Sequence, residues 1–146
     1  MVKVNPLHEF FRDLTTFGGF TFYALMLIIT LIYSRPLFWS LFRGLLLVSI
    51  VVVLIRLFYF RERPKRQDYH NIIEKIDASS FPSLHTARIV FLAFMAYSIF
   101  HNQYVTLVAV LLAALVSYSR IYLQKHDWLD LVGGVVLGGV AWVVLG

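Results

Sequence analysis

The chain has 146 residues, of which 60% are hydrophobic and only 14% charged, with a mean hydropathy of +0.76, a net charge of +5 and a pI of about 9.7. That length fits one domain, residues 1–146, and an apolar share well above the ~45–50% of soluble domains excludes a soluble enzyme, a disordered chain and a free-standing nucleic-acid binder. The absence of cysteine excludes disulfides, thiolate metal sites and cysteine nucleophiles, and the positive balance points to anionic headgroups or a phosphorylated substrate.

Nothing at the N-terminus resembles a cleavable signal peptide, so the first apolar run is expected to be retained. In residues 5–16 (NPLHEFFRDLTT), Leu7, Phe10, Phe11 and Leu14 recur at helical spacing opposite His8, Glu9, Arg12 and Asp13, which predicts an interfacial helix on the bilayer. Apolar runs follow at about 17–34, 37–60, 83–100, 104–121 and 128–146. A helix of 18 residues rises ~27 Å, just enough for a hydrocarbon core of ~30 Å. The expected fold is therefore all-α: a polytopic transmembrane helix bundle of about five spans plus the N-terminal interfacial helix. The connections at Ser34–Arg35–Pro36 and His101–Asn102–Gln103 are short enough to force antiparallel neighbours. Between the second and third spans, Ile72, Ile73 and Ile76 predict a short surface helix flanking a lipid entrance.

Polar residues gather at one end of these spans, the near face, formed by the N-terminal segment, loop 61–82 and the turn at 122–127. Every acidic residue lies on or beside it, and of 13 basic residues only Arg35 and Arg43 belong to the far side.

Three groups on this face carry possible chemistry. Arg56, within the second span, would be costly there by ~2.5–3.5 kcal/mol at mid-membrane. Arg63 follows seven residues later, two helical turns on, with Pro64 closing the span. Two convergent guanidinium forks suit a phosphate, the alternative being snorkelling to headgroups. In Phe81-Pro82-Ser83-Leu84-His85-Thr86, Pro82 suits a first helical position, free N–H groups and the Ser83 hydroxyl suit an anion, and His85 could pass a proton to a leaving oxygen. Arg88 shares the face of His85 and could contact a headgroup or the substrate, with snorkelling the expected reading. Finally, Ser119-Arg120 precedes His126 and Asp130, which are i and i+4 at the start of the last span. A carboxylate there can fix one ring nitrogen and leave the other free to attack, while Arg120 adds a cation. An ordinary His–Asp pair at a helix end is the alternative.

Taken together, the three groups resemble the signatures of the type 2 phosphatidic acid phosphatase family. Arg56 with six intervening residues before Arg63-Pro64 is similar to the first, Pro82-Ser83-Leu84-His85 to the second, and Ser119-Arg120-x5-His126-x3-Asp130 to the third at every position. The resemblance implies a metal-independent, cofactor-free lipid phosphatase. His126, oriented by Asp130, would attack phosphorus and form a phosphohistidine. His85 would protonate the leaving group, and Arg56, Arg63, Arg120 and Ser83 would hold the phosphoryl oxygens before water releases phosphate. Arg56 replaces the family's usual Lys, and Leu84 its usual Gly, where it would restrict the cradle or line the lipid entrance. Pro-Ser-Leu-His resembles the branch with inositol phosphorylceramide synthases, which implies a second reading: transfer of a phosphorylated headgroup to a lipid alcohol. A third is a non-catalytic transporter or scaffold, against which stand the intact His85, His126 and Asp130.

The expected partners are the bilayer and a phosphorylated lipid: a polyprenyl (di)phosphate, phosphatidic acid or phosphatidylglycerol phosphate. No nucleic acid is expected. Members of the family commonly have six spans, so segment 5–16 would stand in place of the first. Gly134 and Gly138 form a small-xxx-small pattern that would suit a homodimer, or packing within the chain. The protein is expected in the cell membrane as a multi-pass protein. Charge counting puts the near face in the cytoplasm, with 8 basic residues against 2 even without Arg56, Arg63 and Arg120. The family resemblance implies the opposite side.

Overall fold

The structure is a computed structural model that describes residues 5–145. Residues 1–4 and 146, which the expected domain and the last expected span include, lie outside the described residues. The described residues form helices α1 (Pro6–Leu14), a 3-10 turn (Thr15–Gly18), α2 (Phe20–Tyr33), α3 (Arg35–Phe58), α4 (Ile72–Ala78), α5 (Leu84–Phe100), α6 (Gln103–Tyr122) and α7 (Trp128–Leu145), without strands.

The amphipathic segment folds as α1, started by Pro6 at its first position and by Asn5, whose side chain accepts from the Leu7 N–H at 3.1 Å. Phe11 packs on Tyr118 and Tyr122 of α6 while Leu7 and Phe10 are exposed, so α1 is fastened to the bundle and turns an apolar edge outward. The first apolar run then breaks. Gly19 takes an extended conformation (φ −77°, ψ 165°), α2 begins at Phe20, and the chain bends by 43° between Pro6–Gly18 and α2. A Cβ on Gly18 would meet Val116 Cγ1 at 2.9 Å and His85 Cβ at 3.1 Å, so this approach to α5 and α6 requires glycine.

Helices α3, α6 and α7 are each long and apolar enough to cross a membrane, and the bent pair would add a fourth crossing as one broken span. Helix α5, with 17 residues, is shorter, rising ~26 Å. Each of the five expected apolar runs thus holds one helix, α2, α3, α5, α6 or α7. One register expectation fails. Helix α3 ends at Phe58, with Tyr59 extended, because the following backbone pairs instead with the end of α4: the Ser80 N–H donates to the Arg61 carbonyl at 2.8 Å and the Arg61 N–H to Ser79 Oγ at 3.3 Å. Arg63 therefore does not share a helical face with Arg56, and Pro64 is not what closes the span.

Helix α5 sits at the centre, packed against α3, α6, α7 and the 3-10 turn. Tyr23, Leu41, Leu45, Val48, Phe91 and Met95 build its core towards α2 and α3. On the other side, Ile89 and Val90 meet Ala113 and Val116 of α6. The glycine stripe of α7 is consumed here: a Cβ on Gly134 would lie 2.7 Å from the Ser83 carbonyl oxygen, and one on Gly138 2.6 Å from that of Ala87. Close packing of α5 on α7 occupies the stripe, which is thus unavailable to a second copy.

Candidate active site

The end of α6 and the start of α7 are joined by a tight reversal. Gln124 adopts the left-handed conformation (φ 55°), and the Arg120 carbonyl accepts from the N–H groups of both Lys125 (3.0 Å) and His126 (3.2 Å). This fixes His126 beside the last turn of α6 and one residue before Asp127, whose side chain accepts from the N–H groups of Leu129 and Asp130 at the head of α7. His126 is 2% exposed and Asp130 fully buried. Nδ1 of His126 lies 3.4 Å from Asp130 Oδ2, too long for a formed hydrogen bond yet half an ångström from one. Catalytic hydrogen bonds commonly tighten only when substrate is bound.

Asp130 is held by much more than the histidine. Arg61 Nη1 donates to Oδ1 at 3.2 Å, Ser80 Oγ to the same oxygen at 3.2 Å, and the Asp127 N–H to Oδ2 at 2.9 Å. Arg61 is itself steadied by Asp127, Nη2 to Oδ2 at 2.6 Å. A buried carboxylate needs this density of donors to stay charged. The sequence reading missed Arg61 and Ser80 as part of the site: they lie 69 and 50 residues from their partner, and nothing local marks them.

The three expected phosphate-binding arginines converge. Arg56 and Arg120 are buried and Arg63 is half-buried, each within electrostatic reach of the others. The end of α4 grips two of them: Arg56 Nη1 donates to the Ile76 carbonyl at 3.2 Å and Arg63 Nη2 to that of Asp77, while Arg56 Nη2 donates to the Pro82 carbonyl at 3.0 Å. Carbonyls at a helix C-terminus carry partial negative charge and suit cations. Arg120 is held from the N-terminal segment, Nη1 to Thr15 Oγ1 at 2.9 Å. Among the described residues, the buried Nε of each of the three has no acceptor. Burial lowers the pKa of Arg63, with Asp77 and Asp130 opposing. Burial also holds His126 below the ordinary histidine value; the neighbouring Asp130 carboxylate opposes this, and the Arg120 and Arg63 cations reinforce it. The imidazole is thus kept neutral, the form in which a ring nitrogen can attack.

His85 stands one turn into α5, half-buried, within reach of His126, Arg63, Arg88 and Arg120. Pro82 is not at the first helical position. Ser83 caps α5 instead, its Oγ accepting from the Thr86 N–H (3.4 Å) and Thr86 Oγ1 (3.0 Å), and its own N–H donates to the Asp130 carbonyl at 3.0 Å. Ser83 is thus a fully buried strut between α5 and α7, with its hydroxyl proton still free to point at an anion. Leu84 packs against the apolar core cluster, so replacing the glycine does not crowd the cradle from that side. Arg88 does not snorkel. It is 8% exposed, with its guanidinium carbon 5.9 Å from the centre of the Phe20 ring.

The family model of the PAP2 superfamily matches residues 37–145. No curated protein matches the chain in sequence. Among solved structures, LpxE from Aquifex aeolicus superposes with a TM-score of 0.78 at 22% identity, over 97% of this chain and 87% of that one. A transmembrane PAP2-type phosphatidylglycerolphosphate phosphatase from Bacillus subtilis gives a TM-score of 0.73 at 23% identity, over 99% of this chain and 77% of the other. At these identities the likeness is one of fold.

Proposed function

The chain belongs to the PAP2 superfamily, and on that premise we propose that it is an integral membrane lipid phosphatase working through a phosphohistidine on His126. The observation that carries this reading is the union, at one end of the bundle, of a buried neutral histidine backed by Asp130 with three arginines whose buried Nε donors have no acceptor among the described residues. A phosphoryl group supplies what those donors lack, because its equatorial oxygens gain charge during transfer and fixed cations stabilise that charge.

His126 attacks phosphorus through Nε2 while Nδ1 closes onto Asp130. The bond to the leaving oxygen breaks in line, and His85, across the cradle, gives that oxygen a proton. Water, deprotonated by the same His85, then attacks the phosphohistidine and returns His126 with inorganic phosphate. Arg56, Arg63 and Arg120 hold the phosphoryl oxygens through both steps, with the Ser83 hydroxyl beside them. No metal takes part in this scheme. The substrate is a lipid with a terminal phosphate: the cradle lies at the end of the bundle where α4, which holds Arg56 and Arg63, turns the apolar Ile72 and Ile73 outward.

Phosphate release from a panel of lipid phosphates in detergent tests the proposal. Activity should resist EDTA, be inhibited by vanadate and vanish in His126→Ala. Metal-dependent release, or full activity of that variant, contradicts it. Transfer of a labelled headgroup to a lipid alcohol without phosphate release would favour the transferase. A folded protein that does neither on a broad panel would favour the non-catalytic reading.

A further inference from the structure

Arg88 takes no part in the scheme above, yet it is a buried cation inside the bundle. None of the ion pairs among the described residues includes it, and its buried Nε has no acceptor there. Leaving a guanidinium donor buried and unpaired is costly, so an arginine held this way is suited to an anion that arrives from outside. Its surroundings fit that role. The guanidinium faces Phe20, the first residue of α2. Gly19, the residue before it, gives that helix no side-chain cap. The N–H groups of the first turn of α2 therefore have no partner within the helix, and they carry the positive end of its dipole. A helix broken inside a membrane protein, with its free N-terminus beside a buried cation, is a suitable place for an anionic group.

The position relative to the chemistry is equally specific. Arg88 is three residues beyond His85 on α5, about 4.5 Å further along the axis away from the near face. A Cβ on Gly19 would lie 3.9 Å from His85 Nε2. His85 is the group assigned to the leaving oxygen, so Arg88 and the start of α2, beside it, lie on the leaving-group side. The Phe20 ring is 62% exposed, which gives a lipid chain an outer wall to follow.

We propose that Arg88 and the first turn of α2 form a second anion subsite, which binds an anionic group on the leaving side of the substrate and so selects lipids with two anionic groups, a lipid diphosphate above all. This deepens the phosphatase reading and rests on it. With a diphosphate, the bond between the terminal phosphorus and the bridging oxygen breaks, its electron pair stays on the bridging oxygen, and the departing lipid phosphate carries its charge beside Arg88.

The test compares kcat/KM for farnesyl diphosphate and farnesyl monophosphate in the wild type, Arg88→Met and Arg88→Lys. One charge-assisted contact corresponds to about a ten- to hundredfold effect, so the diphosphate-to-monophosphate ratio should fall by that factor in Arg88→Met and by less in Arg88→Lys. An unchanged ratio, including an equal fall on both substrates, overturns the subsite. Where Arg88→Met does not fold, Arg88→Gln replaces it. A parallel binding measurement separates this proposal from the phosphatase reading: thermal shifts in detergent with farnesyl methylenebisphosphonate and farnesyl monophosphonate. If the wild type hydrolyses neither these substrates nor any lipid phosphate of the broad panel, the phosphatase reading fails, while a larger shift with the bisphosphonate that disappears in the Arg88 variants still upholds the subsite. Equal shifts in the wild type overturn it.

Discussion

Asp130 shows how a single carboxylate organises the site. It accepts from Arg61, Ser80 and the Asp127 backbone, and its remaining direction points at His126. In the proposed mechanism Arg61 is thus a positioning residue, acting on His126 through Asp130. Replacing it by Met removes its charge-assisted hydrogen bonds to Asp127 and Asp130, of which the one to Asp130, ~1.5–3 kcal/mol, bears on the histidine. The expected result is a ten- to hundredfold loss in kcat with KM nearly unchanged, and partial rescue by Arg61→Lys; a rise in KM alone would show that Arg61 contacts substrate instead. The depressed pKa of His126 has a signed consequence. Activity should hold level as pH falls through the ordinary histidine value of about 6.5 and fail only below it, when the nucleophile takes up its proton. Stability follows the same sign: the unfolded chain binds this proton at a higher pH than the folded one, so folding weakens as pH drops below about 6.5. A pH–rate profile whose acid limb lies above that value would contradict the burial argument.

Among the elements, the pairs that matter are α5 with α7 and α4 with the arginines. The cap of α5 and the first turn of α7 are joined by the Ser83 N–H to Asp130 carbonyl bond, so a shift of one helix moves His85 against His126. Gly138→Val would drive a side chain into the Ala87 carbonyl and Val90; overpacking of this kind costs about 1–3 kcal/mol. A lowered unfolding temperature in detergent together with reduced activity is expected, and an unaffected variant would show that the α5–α7 contact is looser than described. Much of this level was legible in the sequence. The apolar runs gave the helices, the Ile spacing gave α4, and the motif residues Arg56, Arg63, Ser83, His85, Arg120, His126 and Asp130 do gather at one end. What was not legible depends on contacts distant in sequence. Arg120 meets Thr15 across 105 residues and Arg61 meets Asp127 across 66. The early end of α3 follows from backbone pairing with Ser79 and Ser80, which no periodicity encodes. The burial of Arg88 was misjudged because a basic residue near a span end ordinarily reaches for water, and only the break at Gly19 brings Phe20 over it.

For the molecule as a whole, most of the small charged minority of an apolar chain lies at one end of the bundle, with Arg35 and Arg43 at the other. The segment before the family-matched residues 37–145 also supports the candidate site, since Thr15 braces Arg120 and Gly18 packs on His85. Charge counting, repeated without the arginines at the site, still leaves the near face with the larger basic share, and so predicts that a cysteine placed at His70 is shielded from an impermeant label in intact cells until the membrane is permeabilised. Immediate labelling would put the site on the outer side instead. The central claim is that His126 carries the phosphoryl group. Rapid quenching of the enzyme with a ³²P-labelled lipid phosphate tests it most directly. The account predicts protein-bound label that is stable to base, labile to acid and absent from His126→Ala; steady turnover without such label, or label that persists in that variant, would contradict it.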